Sequence, residues 1–338
     1  MVIASNRKAR VSMPEISPPL PGRPYVLVTP GPGEGVGDLA ADAVLALYRL
    51  HGAILFRGFD FDLPAFRAFA ETFCSSSVFN DSPDRLLLDD ENYIQSVNGG
   101  ADPFPLHPEL SREPWKPDAC FFCCLNPPRM AGETTICDGV AIVDALPAAV
   151  RDGLASRRLI YVQQAWPELL NYWLGTATPA AAQMARPPAG CPYRFFEVNG
   201  RIVRAFSRPA LHRPMFTDRL AFGNFLLFSR YYLGRSGFPA FDDGARVPDA
   251  WVEAVKVASD RLTASISWRK GDLVMLDNTR VMHGRNAIVD ADRRLIASYF
   301  GYLKDAPINP EEPPDPPWRR GAFRPPQPEA PAGAVVVT

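Results

Sequence analysis

Apolar positions along the chain follow two different rhythms. Near the start, "RPYVLVT" reads as a strand and "DLAADAVLALYRLHG" as an amphipathic helix closing near a glycine. "AILFRGF" then reads as a second strand and "LPAFRAFAETF" as a second helix. Further on, the pattern shortens to apolar runs broken by Gly, Pro, Asn and Asp: "ACFFCCL", "TTICDGVAIV", "LIYVQQAW", "YRFFEVNGRIVRAF", "DLVMLDN" and "RLIASYFGYL". Short runs punctuated by turn residues predict an antiparallel sandwich or barrel, with "EVNGRIV" as a hairpin through its Asn-Gly turn. The expected fold class is mainly β with flanking helices (α+β), built on a jelly-roll core. From about 207 to 263 the strand rhythm lapses and helical stretches such as "PDAWVEAVKVASDRL" intervene, which predicts a covering insertion over one barrel mouth.

Proline sets the expected limits of the fold. Residues 1–24 and 306–338 are proline-rich, so regular structure is expected in a single domain over 25–305, with an N-terminal extension and a C-terminal tail outside it. A chain of 338 residues can bury a sizeable core as one elaborated domain. With 47% hydrophobic and 22% charged residues and a net charge of -1, the composition calls for neither nucleic acid nor an acidic membrane surface. No apolar run follows the basic residues of the amino terminus, and none approaches a membrane span. A cytoplasmic protein acting on a small molecule is expected, with a homo-oligomer left open.

Two motifs are decoys. The glycines of "TPGPGEGVGDL" stand at 31, 33, 35 and 37, which does not give the phosphate-cradling spacing G-x-G-x-x-G, and no G-K-[ST] follows. The cysteines of "ACFFCCL" lie in a strand-like run without a second ligand pair, so they are expected to be buried thiols rather than zinc or redox ligands.

The stretch "LHPELSRE" is more informative. Its prolines disfavour a helix, and in extended backbone His107 and Glu109, two positions apart, project to the same side. A metal site needs a third ligand. His51 sits near a helix end, where a structural role is expected, and His212 lies in the irregular segment, expected at the surface or in the lid. His283, after a strand-like "DLVMLDN" and a short turn, is the better candidate. Two histidines and one carboxylate on one face of a metal form the facial triad of non-haem iron oxygenases.

The string from His107 through "KPDACFFCCLNPPRMAGETTICDG", with "GDLVMLDNTRVMHGR", "RRLIASYFG" and the early "GAILFRGF", resembles the taurine dioxygenase-like (TauD/TfdA) family of Fe(II)/2-oxoglutarate-dependent oxygenases over approximately residues 24–304. That resemblance implies His107, Glu109 and His283 as catalytic metal ligands, with Thr134 and Arg294 binding 2-oxoglutarate. A guanidinium suits the free carboxylate of that cosubstrate because it can hold it bidentately. Strand alternation puts Arg294 on one face with Ser298, and Arg293 on the other.

Three departures from the family pattern matter. Glu109 stands where aspartate is commoner, and a carboxylate of either kind argues against halogenation. Ala131 in "RMAGET" replaces a usual glycine and is expected to alter the turn before Thr134. Ser298 stands where taurine dioxygenase carries an arginine for the sulfonate, which argues against taurine as substrate. The implied reaction uses Fe(II), 2-oxoglutarate and O2 to oxidise a C–H bond, by hydroxylation, desaturation or cyclisation. The substrate is expected to be small and polar, an amino acid or secondary-metabolism intermediate, free or carrier-bound. Gln95, Ser96, Asn98, Asn224, Arg230 and Ser298 are the candidates for contacting it. A non-catalytic jelly-roll binding protein and a zinc hydrolase on the same ligands are the alternatives.

Overall fold

Four of the most continuously apolar runs become the middle of a large sheet. In the computed structural model, which describes residues 13–289 and 294–328, Ala53–Phe56, Leu273–Asp277, Ala119–Asn126 and Leu295–Leu303 lie side by side in that order within a nine-stranded sheet. These four pair antiparallel, and almost every residue in them is buried because both faces of the sheet are covered. Successive residues therefore serve different cores. Phe121 packs with the helices Ala41–His51 and Leu63–Phe73 on one face, whereas Phe122 joins the cluster on the other.

Those two helices begin and end for local reasons. The side chain of Asp62 accepts the Ala65 N–H and Pro64 occupies the first turn of Leu63–Phe73, an ordinary N-cap with proline where no N–H is needed. Ala41–His51 ends at Gly52, whose φ of +74° closes the helix in the left-handed region.

A four-stranded sheet, in the order Ala264–Ile266, Thr134–Asp138, Val281–Arg285 and Phe104–His107, lies across the Phe122 face of the large sheet. The rings of Phe122 and His283 are 5.0 Å apart, which places the space between the sheets at His283. A third sheet carries the expected hairpin, Arg194–Val198 and Arg201–Pro209, turning through Asn199 (φ +51°) and Gly200 (φ +73°). Among the described residues there are eight α-helices, and none is long and apolar enough to cross a membrane.

The structure departs from the sequence expectations in several places. "TTICDGVAIV" is a strand only as far as Asp138, whose side chain accepts the Val140 N–H and starts the helix Gly139–Ala145. Local capping overrides the β-branched run. The 207–263 segment contains the helices Leu226–Tyr231 and Asp249–Leu262, but also the end of one strand and the short strand Ala240–Phe241. Proline does not exclude the ends from the fold. Glu15–Ser17 adds an edge strand against Val26–Thr29, and Trp318 is fully buried beside Trp115, with Arg319 bridging to Asp118 at 2.8 Å. The described part of the tail lacks ladders, as its prolines require, yet supplies apolar area and a partly buried ion pair to the fold.

Cys74, Cys120, Cys123, Cys124 and Cys137 are buried free thiols and Cys191 is partly buried; burial raises the pKa of each.

Candidate active site

The strand pairing of the four-stranded sheet brings two of the proposed ligands together. His283 in Val281–Arg285 is the antiparallel partner of His107 at the end of Phe104–His107, and their ring centroids are 4.7 Å apart. Gly284 permits that approach, since a Cβ there would stand 2.5 Å from the Phe104 carbonyl oxygen and 2.8 Å from Thr135 Oγ1.

Glu109 reaches the same point by another route. The strand stops at His107, and Glu109 lies in a turn whose next residue, Leu110, has a φ of +50°. Simple i, i+2 alternation in extended chain is therefore not what aims its side chain. Asn278 fixes the turn instead: its Oδ1 accepts the Glu109 N–H at 2.8 Å, and its Nδ2 donates to the carbonyls of Glu109 (3.1 Å) and Pro117 (2.8 Å). Asn278 connects the strand Leu273–Asp277 to the strand carrying His283, so one side chain couples the carboxylate to the distal histidine.

Candidate ligand atoms of His107, Glu109 and His283 all lie within 4.8 Å of one another, with Glu109 Oε2 3.5 Å from His283 Nε2. The surroundings suit a metal. His107 Nδ1 is 2.8 Å from the Pro105 carbonyl oxygen, which leaves Nε2 for the cation in the neutral tautomer. Burial, reinforced by His283, depresses the His107 pKa to about 4, so the ring is neutral at pH 7. Burial alone would raise the Glu109 carboxyl, but Arg85, followed by His283 and His107, outweighs it and holds the pKa at about 2. Asn80 Nδ2 donates to Glu109 Oε1, whereas Oε2 is buried without a hydrogen-bond partner among the described residues. A buried, ionised oxygen left bare in this way is costly unless a cation occupies the site.

Thr134 and Arg294 line the same pocket as the three ligands. Thr134 opens the strand Thr134–Asp138, and its Oγ1 accepts Trp268 Nε1–H at 3.0 Å. Arg294 is largely buried, and its Nε has no hydrogen-bond partner among the described residues; Nη1 only approaches the Asn98 carbonyl at 3.5 Å. Burial first and Arg285 second depress its pKa to about 10. A half-satisfied guanidinium beside a metal triad is a fitting receptor for a carboxylate. Arg293 lies outside the described residues.

Ala131 takes a φ of +60°, followed by Gly132 at +74°. The alanine keeps the glycine-type turn rather than reshaping it, at the cost of a left-handed backbone. His212 is not at an open surface: its Nε2 lies 2.6 Å from the Thr279 carbonyl oxygen, and burial depresses its pKa to about 3. His51 closes the helix Ala41–His51.

The proposed substrate contacts divide sharply. Asn98 lines the pocket, whereas Ser298 does not: it is fully buried, donating to the Gln95 carbonyl at 3.0 Å and reached by Arg85 Nη1 at 3.4 Å. Gln95 is buried against Asn80 and braces the loop behind Glu109, while Ser96 Oγ accepts the Leu86 N–H. Asn224 caps the helix Leu226–Tyr231 and Arg230 pairs with Asp249, both with partners outside the pocket. The helix Leu226–Tyr231 instead brings Phe228 to the site, its ring centroid 4.8 Å from that of His107.

Four pocket or supporting residues escaped the sequence reading: Arg85, Asn80, Asn278 and Arg285. Arg85 and Asn80 belong to a loop with no periodicity to mark them. Asn278 had one usable signal, an amide placed between a strand and a candidate ligand.

A model of the taurine catabolism dioxygenase TauD, TfdA family matches residues 29–299. The chain belongs to that family. This TauD/TfdA member is thus a dioxygenase, an oxidoreductase, and its cofactors are Fe(II), 2-oxoglutarate and O2. No curated protein matches it by sequence. Among solved structures, PvcB from Pseudomonas aeruginosa is 16% identical with a TM-score of 0.57, covering 92% of this chain and 98% of its own. PvcB is described as an Fe, alpha-ketoglutarate dependent oxygenase from an isonitrile synthetic pathway. AAD-2, solved with Mn(II) and N-oxalylglycine, is 15% identical with a TM-score of 0.55, over 88% of this chain and all of that one. A taurine dioxygenase from Burkholderia xenovorans is 14% identical at 0.56, over 88% and 93%. At these identities the likeness is one of fold.

Proposed function

We propose that this TauD/TfdA protein oxidises an unactivated C–H bond of a small polar substrate at His107, Glu109 and His283, with hydroxylation as the main outcome. The observation that carries this reading is the pairing of a triad in which Glu109 and His283 are buried and the ligand atoms lie within 4.8 Å with a partly buried Arg294 whose Nε is unpartnered among the described residues. We read the two facing sheets as a double-stranded β-helix, with residues 207–263 covering its mouth through Phe228.

His107, Glu109 and His283 would hold Fe(II), which would supply the oxidising chemistry by which O2, 2-oxoglutarate and a substrate C–H become C–OH, succinate and CO2. The protein's own residues set the conditions. His107 is held neutral and oriented through Pro105, and Asn80 occupies one oxygen of Glu109 so that the other is free for the cation. Arg294 takes the distal carboxylate of 2-oxoglutarate, with Thr134 alongside. Val97, Phe104 and Phe122 give the otherwise charged pocket an apolar wall against which one C–H bond can be positioned. Glu109 occupies the position that a halide would need, which favours hydroxylation-type chemistry over halogenation. A zinc hydrolase on the same three ligands would give Arg294 no role.

The test is anaerobic titration with Fe(II) and 2-oxoglutarate. A metal-to-ligand charge-transfer band, followed by succinate release in air, is expected; folded protein showing neither overturns the reading.

A further inference from the structure

We infer that Arg85 anchors an anionic group of the substrate beside the metal, and that the substrate is a carboxylate, or an equivalent anion, lacking a protonated amine. This rests on the 2-oxoglutarate-dependent reading of the site and narrows its substrate.

Arg85 lies in the loop before the strand Leu87–Asp89, and its side chain is only 6% exposed. Its Nε donates to Asn98 Oδ1 at 2.9 Å, Nη1 reaches Ser298 Oγ at 3.4 Å, and the guanidinium stands 5.3 Å from the Phe300 ring centroid. These contacts fix its direction. Nη2 is 3.7 Å from Glu109 Oε2, too far for a hydrogen bond, and has no other acceptor among the described residues. A rigidly held guanidinium thus presents an unused edge beside the carboxylate that binds the metal.

Charge shows what is missing. The ionised side chains lining the pocket are Arg85, Arg285 and Arg294 against Glu109 alone, among the described residues. The metal dication and the 2-oxoglutarate dianion cancel. Glu109 is committed to the metal and Arg294 to the cosubstrate. Arg285 is satisfied by the carbonyls of Asn98 (2.8 Å) and Asp102 (2.6 Å). Arg85 has one ion-pair partner in the pocket, Glu109 at 3.7 Å, and shares it with the metal site, since Asp81 acts on it more weakly and does not line the space. A buried cation whose one counter-ion is shared with a metal gains from a second anion, which a ligand can supply.

The same count disfavours an ammonium group. Glu109 Oε1 already accepts from Asn80, Asn98 Oδ1 already accepts from Arg85, and no other carboxylate lines the pocket among the described residues. A free α-amine would be protonated at neutral pH and would face three guanidinium groups against a single carboxylate, Glu109, that the metal also requires. An acid whose nitrogen is absent, or masked as a neutral group, fits, with Val97, Phe104 and Phe122 taking its apolar body. Free amino acids are thereby disfavoured as substrates.

Calorimetric binding to the Mn(II)- and 2-oxoglutarate-loaded protein, without oxygen, tests this with three probes: 3-phenylpropionate, N-acetyl-L-phenylalanine and L-phenylalanine. At least one of the first two is expected to bind about tenfold or more tightly than L-phenylalanine. Arg85→Gln is expected to weaken that binding about tenfold or more, and Arg85→Lys to retain part of it. Affinity for 2-oxoglutarate should stay within about threefold of wild type in both variants, which also shows that they fold. Unchanged probe binding in Arg85→Gln, equal or tighter binding of L-phenylalanine, failure of both acids to bind wild type, or a parallel loss of 2-oxoglutarate binding overturns the inference. Failure of wild type to bind 2-oxoglutarate at all would instead strike the proposed function.

Discussion

His107 and His283 face each other across an antiparallel strand pair, although 175 residues of sequence separate them. Because both are fixed by the same ladder, their ring nitrogens are held at metal-binding separation before any ion arrives, so little ordering entropy remains to be lost on binding. Substituting either by alanine should reduce Fe(II) affinity by more than about a hundredfold, beyond the loss typical of a supporting residue. His212→Ala should leave it nearly unchanged, because that ring is bonded to Thr279. Equilibrium titration with Fe(II) checks the pair, and the opposite ranking would move the third ligand to His212.

Asn80 supports the site without being a ligand. It donates to one oxygen of Glu109 and is itself braced by Gln95. Asn80→Ala should lower Fe(II) affinity about 10- to 100-fold, the range seen when the partner of a metal ligand is removed. Metal titration beside thermal unfolding separates this from simple loss of folding.

Arg294→Ala should raise the 2-oxoglutarate requirement by about one to two orders of magnitude while sparing metal affinity, since one charge-assisted contact is worth about 1.5–3 kcal/mol. Arg294→Lys should recover only part, because an ammonium cannot match both carboxylate oxygens. Cosubstrate titration followed by the charge-transfer band reads this directly.

Ala131→Gly should stabilise the protein by up to about 1 kcal/mol. Releasing a left-handed alanine gains about 1–2 kcal/mol, and the greater freedom of glycine in the unfolded chain returns part of it. The glycine variant is expected to show a higher urea midpoint, and a lower one would refute the strain at φ +60°.

Acid stability should depend on His212. Its folded-state pKa of about 3 lies below the ordinary 6.5, so the unfolded chain binds more protons between those values. Stability from this residue is therefore fully present above about pH 6.5 and declines as pH falls toward 3, by at most about 2 kcal/mol at pH 5. His212→Gln should flatten the dependence of unfolding free energy on pH between 5 and 7.

Much of this molecule was legible in its sequence because the relevant physics is local. Unbroken apolar runs such as "ACFFCCL" marked strands covered on both faces, Asn199 and Gly200 marked a hairpin turn, and Asp62 with Pro64 marked a helix start. The residues His107, Glu109, His283, Thr134 and Arg294 were named from spacing and family resemblance, and they line one pocket. Other features depend on what lies across space, and sequence patterns carry no such information. Trp318 is core because Trp115 and Phe323 pack against it, despite the prolines around it. Glu109 points at His283 because Asn278 clamps its turn, and Arg230 faces Asp249 rather than the pocket because of where its helix docks. Arg85 stands in an unremarkable loop segment, "SPDRLL", and only the packing of that loop against Asn98, Ser298 and Glu109 makes it a buried cation. Residue types and short-range spacing determined the chemistry available to the site. Which charges are buried, and which of them lack a partner, was decided by tertiary packing, because burial and pairing belong to the assembled surroundings of a residue.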